Sequence, residues 1–367
     1  MPSFQSIGAG LLAVLLFACQ SPAGSSPAAQ LPPAVPVPTV PTHPYFAGAV
    51  IHGTELPGYW GANGVWTALD LPSGTTTGKA DCIVASGNDV YVGGVCSTSA
   101  QNGSSPGYWL NGTWTALPVP SPQTGGNVAA IVIDGTNVYA AGYCNVDTGA
   151  SISGYWLNGT WTPLSGPPNF LNGDVSSIVV SGGSVYFGGR CTDFAASSTK
   201  VGYWKDNDLF VEFAPPSGGE ARQITGLVVN GTTVSAGGLS YSSQTTPNST
   251  PGYWVGAVWN ALTAPGTGPY LNITGMAVSG GVTYVSAFAG TYQGYWADAS
   301  WQGLNGPTGT YGSVVLNSLL VVGSDVYAAG ACTINETEYP GYWLNGIWKS
   351  LNLPTGVNTG VIFGSCP

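Results

Sequence analysis

The tripeptide Gly-Tyr-Trp occurs seven times, starting at Gly58, Gly107, Gly154, Gly202, Gly252, Gly294 and Gly341, so successive copies lie 42 to 50 residues apart. A repeat of this length marks one supersecondary unit that cannot bury its apolar face alone and must stack on copies of itself. Upstream of most copies runs a second signature. It reads "CIVASGNDVYVGGVC" from Cys82, "AIVIDGTNVYAAGYC" from Ala130, "SIVVSGGSVYFGGRC" from Ser177 and "LLVVGSDVYAAGAC" from Leu319, with weaker forms from Gly226 and Gly275.

Each unit therefore contains two hairpins. An apolar strand a turns tightly into a strand b that ends near Gly-Gly. Strand c carries Tyr-Trp and turns into a short strand d. Asn-Gly at 111–112, 158–159 and 345–346 suits a two-residue turn in which both central residues need positive φ. Four short strands within one repeat length make a blade, and seven blades make a ring. The sequence thus predicts an all-β fold: a seven-bladed β-propeller over residues 45–367 with four antiparallel strands per blade. The first copy lacks a strand a, and the last stretch, "LNLPTGVNTGVIFGSCP", has a strand a without a successor. Val361–Cys366 is expected to pair with Tyr45–Val50, complete blade 1 and leave no open sheet edge.

Composition agrees with a strand-and-turn protein. Charged residues make up 6% of the chain against about 25% in a typical soluble domain, while apolar residues reach 44%. All 13 Trp fall in the Gly-Tyr-Trp hairpins, where they are expected to fill the widening outer gap between blades rather than serve as sugar-stacking platforms. The net charge of −10 includes only six scattered bases, Lys79, Arg190, Lys200, Lys205, Arg222 and Lys349. No basic patch is available to neutralise phosphates, which argues against nucleic-acid binding.

The apolar strand, Gly-Gly, and separated Tyr and Trp together resemble the Kelch-type repeat of galactose-oxidase-like propellers. Five residues separate Tyr from the second Trp in most copies, one fewer than in that pattern. The resemblance implies the fold and almost no chemistry.

The N-terminal run "LLAVLLFAC", Leu11 to Cys19, is too short to span a bilayer as a helix and fits the core of a secretory signal. Its end, Leu16-Phe17-Ala18-Cys19, resembles the lipobox of bacterial lipoproteins. That resemblance implies a signal peptide over 1–18 and a lipidated Cys19. The Pro/Ala/Ser-rich segment to residue 44 then serves as a tether. The ten residues that precede the run carry no Lys or Arg, a departure from usual export signals. Gln20 follows Cys19, and in enteric bacteria a residue other than Asp there directs a lipoprotein to the outer membrane.

With strand a innermost, the a–b and c–d turns share one rim, and the longer b–c and d–a loops share the other. A ligand is expected on the long-loop rim, because a rigid scaffold there carries variable loops. Around the axis, strand a opens with Lys79, Asn127, Asp174, Gln223 and Asn272, and the next inward register holds Asp81, Ser176, Thr225, Thr274 and Asn317. These residues make either a polar pocket at the channel mouth or simply the lining of a wet channel.

Catalytic signatures are sparse. The only His residues are His43 and His52, and two Arg in the chain cannot form the arginine cluster of a sialidase-like site. Glu336 with Glu338, or Asp193 with a loop neighbour, are more economically solvated loop acids or a weak Ca²⁺ contact than glycosidase machinery. Cys96, Cys144, Cys191 and Cys332 share one repeat position that elsewhere holds Val50, Ser240 or Ala289, which marks a small packing site. Cys82 and Cys366 have no evident partner. No metal or cofactor motif is found. The sequence points to a monomeric, non-enzymatic, membrane-anchored binding or interaction module whose partner is a protein or a glycan. A lectin-like propeller, and then a lyase or hydrolase, are the alternatives.

Overall fold

The structure is a computed structural model. It describes residues 44–366 apart from 53, 62, 99–103, 148, 171, 194, 197, 217–218, 242–248, 264–265, 267–271, 290–291, 308–310, 336 and 358. Cys19, the signal and tether residues before 44, His43 and Glu336 lie outside the described residues.

The strands form seven four-stranded antiparallel sheets. Blade 2 is representative, with strands Thr77–Ser86, Asp89–Ser97, Ser104–Leu110 and Thr113–Ala116 in that order. Strands a of successive blades contact one another around the axis, and the circle closes between Thr359–Cys366 and Thr77–Ser86. Blade 1 takes its inner strand from the C-terminus, as the sequence predicts: Tyr45 pairs with Cys366, Ala49 with Val361 and Val50 with Gly360.

The Gly-Tyr-Trp motif works as three linked parts. The Trp of strand c is fully buried in every blade (Trp60, Trp109, Trp156, Trp204, Trp254, Trp296, Trp343). Its indole N–H crosses to a backbone carbonyl in the d–a link of the preceding blade. Trp109 donates to Asp70 at 2.7 Å, Trp156 to Pro118 at 2.8 Å, Trp204 to Ser165 at 2.8 Å and Trp254 to Ala214 at 2.9 Å. Trp296 donates to Thr263 at 3.1 Å, Trp343 to Asn305 at 2.6 Å, and Trp60 closes the circle on Asn352 at 2.8 Å. Each bond satisfies a donor that burial would otherwise orphan, and each ties one blade to its neighbour.

The Trp of strand d lies tilted against the first, with ring centroids 4.3 to 4.6 Å apart in six blades. Phe210 takes its place against Trp204 at 4.8 Å in blade 4. The motif's Gly is the seat of that second ring. A Cβ at Gly58, Gly107, Gly154, Gly202, Gly252, Gly294 or Gly341 would overlap the ring and a strand-d carbonyl. The Asn-Gly turns adopt the expected positive φ, 50° at Asn111 and 91° at Gly112. Asn111 Oδ1 also accepts from Val90 N at 2.9 Å, pinning the c–d turn to strand b.

Candidate functional site

Every inner strand carries a β-bulge at nearly the same height, one residue later in blade 5 than in the others. The register shifts fall between Ala80 and Cys82, Val128 and Ala130, Val175 and Ser177, Thr225 and Leu227, Ile273 and Gly275, and Leu316 and Ser318. In blade 1 the extra residue is Phe363, opposite Ala47 and Gly48. A bulge bends the strand and re-aims a side chain. In six blades the extra residue is Asp81, Ala129, Ser176, Thr274, Asn317 or Phe363; in blade 5 it is Gly226, and Thr225 beside it pairs with Gly237. These six residues and Thr225 form a ring that lines an axial cavity of about 350 Å³. The sequence placed the polar members of this ring at one register and gave no sign of the bulges or of Phe363.

Above the bulge ring, toward the long-loop rim, stand Lys79, Asn127, Asp174, Gln223 and Asn272. Backbone carbonyls of this ring press on strand b: a Cβ at Gly94, Gly142, Gly189 or Gly238 would strike the carbonyl oxygen of Lys79, Asn127, Asp174 or Gln223. The Gly-Gly signature therefore exists to let the mouth register sit close. A second cavity of about 420 Å³, lined by Asp174, Arg190, Gln223 and Tyr241 among others, shares Ser176 and Thr225 with the axial one. It lies where blades 4 and 5 meet the axis.

The mouth is lopsided. On blades 2 to 5 it is polar and charged. Lys79 Nζ lies 2.5 Å from Asp81 Oδ1, and Asn127 Nδ2 donates to Asp81 Oδ2 at 2.9 Å. Arg190 Nε donates to Asp174 Oδ2 at 2.8 Å. Burial raises the Tyr143 phenol above its ordinary value, and the carboxylates of Asp81 and Asp174 add to the effect. On blades 7 and 1 the same register holds Val315 and Val361, paired with Ala331 and Ala49. Asn272 stands at that register opposite Phe288, is exposed, and lines neither cavity. Arg190, Tyr143 and Tyr241 were not singled out in the sequence, although Arg190 is legible as the strand-b partner of Asp174.

Several polar atoms at this site are buried without a hydrogen-bond partner in the protein: Asn127 Oδ1, Thr225 Oγ1 and Ser177 Oγ. Others are engaged by the scaffold. Asn317 Nδ2 donates to the Ile362 carbonyl at 2.7 Å, and Ser318 and Ser365 hydroxyls meet at 2.7 Å, both across the junction of blades 7 and 1.

Away from the axis, the sequence features read as scaffold. Asp193 Oδ1 accepts from Ala195 N and Ala196 N at 2.9 and 3.2 Å and shapes its own loop. Cys96, Cys144, Cys191 and Cys332 are buried, and burial pushes their thiols up to about 12, which keeps them protonated and unreactive. Among the described residues, no group of three or more His, Cys, Asp or Glu side chains is placed to hold a metal ion.

No protein-family model matches the chain, and no curated protein matches it. Similarity is found among solved structures. A puromycin-hydrolyzing peptidase from Mycobacterium tuberculosis aligns with a TM-score of 0.54 and 14% identity over 86% of this chain and 52% of that one. The chain thus spans about half the length of that peptidase, and at this identity the likeness establishes the propeller fold. YjhT aligns with a TM-score of 0.40 and 12% identity over 77% of this chain and 99% of that one.

Proposed function

We propose that this protein is a lipid-anchored, extracytoplasmic binding module of the bacterial cell envelope, without catalytic activity of its own, and that its ligand seat is the channel mouth on the long-loop rim. The observation that carries the seat is the pair of joined cavities, about 350 and 420 Å³. Their size suits a small ligand or the end of a larger one. The lining favours a hydroxyl-rich partner such as a glycan. Carboxylates of Asp81 and Asp174 stand fixed by Asn127 and Arg190 and offer acceptors to a ligand's hydroxyl donors. A seat preorganised in this way spends little of its binding energy on ordering side chains.

A glycan array probed with the wild type and with Asp174→Ala tests the reading. The substitution frees Arg190 and removes a fixed acceptor, so array signals should drop at least about tenfold, the effect of losing one charge-assisted hydrogen bond. Equal signals from both proteins would move the seat elsewhere.

The anchoring part rests on Leu16-Phe17-Ala18-Cys19 and the Pro-rich stretch behind it. Metabolic labelling with a radiolabelled fatty acid should mark the wild type and not Cys19→Ala, and the variant should leave the membrane fraction. An unlabelled wild type refutes the anchor and leaves the channel mouth as it stands.

A further inference from the structure

Lys79 is one of six basic residues in the chain, and its ammonium is held as a bound cation would be. Nζ lies 2.5 Å from Asp81 Oδ1 and 4.4 Å from the centroid of the Phe363 ring. A carboxylate beside an aromatic face is the pairing that recognises organic ammonium ions. This seat is assembled without Lys79. Asn127 Nδ2 fixes Asp81 at 2.9 Å, the blade-1 bulge brings Phe363 to the axis, and Asp81 and Phe363 both line the axial cavity, whereas Lys79 does not. Lys79 reaches in from the register above, with a side chain 44% exposed against 11% for Asp81. The seat is buried and its occupant is not. One further observation points to a cation: Glu55 lies within electrostatic reach of both Lys79 and Asp81. Arg190, another cation of the mouth, pairs with Asp174.

We infer that the Asp81–Phe363 seat receives a primary ammonium group of the ligand, and that Lys79 occupies it as an internal placeholder which the ligand displaces. The inference rests on the channel mouth being the binding site and adds the charge of what binds there. A lysine suits the placeholder role because its ammonium rides on a flexible four-carbon stem that can swing into solvent. While Lys79 fills the seat, the competent fraction of the protein is small, and the apparent affinity falls by that fraction.

The test uses 4,4,4-trifluorobutylammonium and its neutral counterpart 4,4,4-trifluorobutanol, titrated by fluorine NMR against the wild type, Lys79→Met and Lys79→Met/Asp81→Asn, with melting curves for each. Lys79→Met should bind the ammonium about tenfold more tightly than the wild type, as expected when an occupant present nine-tenths of the time is removed. Binding of the alcohol should not change, and the double variant should lose the gain. If the double variant does not fold, Phe363→Leu on the Lys79→Met background reports the same loss. An unchanged or weaker ammonium affinity in Lys79→Met, or an equal gain for the alcohol, overturns the placeholder. If that happens while glycan binding still responds to Asp174→Ala, the mouth stands as a binding site and only its ammonium seat is lost. If neither probe nor any glycan responds to substitutions at the mouth, the binding reading fails as well.

Discussion

At the scale of single residues, the recurring Gly-Tyr-Trp is a packing instruction whose three letters have separate causes. The Trp supplies a large buried ring and one N–H that must find an acceptor; it finds one in the preceding blade. The Gly is there because the ring from strand d lies on it. In blade 2, Gly107→Ala would drive a methyl group into Trp114 and the Thr115 carbonyl. The expected cost is about 1–3 kcal/mol, the usual penalty for overpacking, read as a lowered melting temperature. On a Trp114→Ala background the same substitution should cost less, though not nothing, because the carbonyl remains. A Gly107→Ala protein that melts like the wild type would show that strand d does not rest on this glycine. The sequence revealed that these aromatics were packing residues but not this division of labour. The spacing shows that two rings share a hairpin, while the overlap of one ring with a particular Cα is a matter of rotamer and register.

At the scale of strands, the C-terminal segment matters most. Thr359–Cys366 is the inner strand of blade 1 and touches the inner strands of both neighbours. It was legible in the sequence because the first copy lacked a strand a and the last copy had one to spare. The bulges were not legible: each adds one residue to an inner strand, and Asp81, Ser176, Thr274 and Asn317 at those places read equally well as ordinary channel-facing residues, while Phe363 lies in an apolar run. Phe363 was missed for that reason. Deleting residues 360–367 should expose the edge of Tyr45–His52 and remove the buried Ile362 and Cys366. Burying one large apolar side chain is worth about 1.5–3 kcal/mol, and the lost backbone bonds add to it, so the truncated protein should melt well below the parent. It should also associate through the open edge, which size-exclusion chromatography would detect. A monomer with the parental melting temperature would mean that this strand does not hold the ring closed.

At the scale of the whole molecule, seven similar blades make a ring that is uniform at its perimeter and uneven at its axis. The perimeter repeats: one buried Trp per blade, one half-buried ring against it, one staple to the neighbour. The axis does not, and Lys79, Asp81, Asn127, Asp174, Arg190 and Gln223 all belong to blades 2 to 5, facing valines across the mouth. Residues that serve packing tend to follow the repeat, and residues that depart from it at one rim are free to serve something else. That contrast is the central claim, and hydroxyl-radical footprinting with and without a bound glycan tests it directly, because aromatic rings report at both places. Binding at the mouth should protect Tyr143, Tyr241 and Phe363 and leave the half-buried perimeter rings of Trp114, Trp161 and Trp259 as reactive as before. Protection of the perimeter tryptophans with an unchanged mouth would contradict the account and make the repeated hairpins, rather than the axis, the surface that binds.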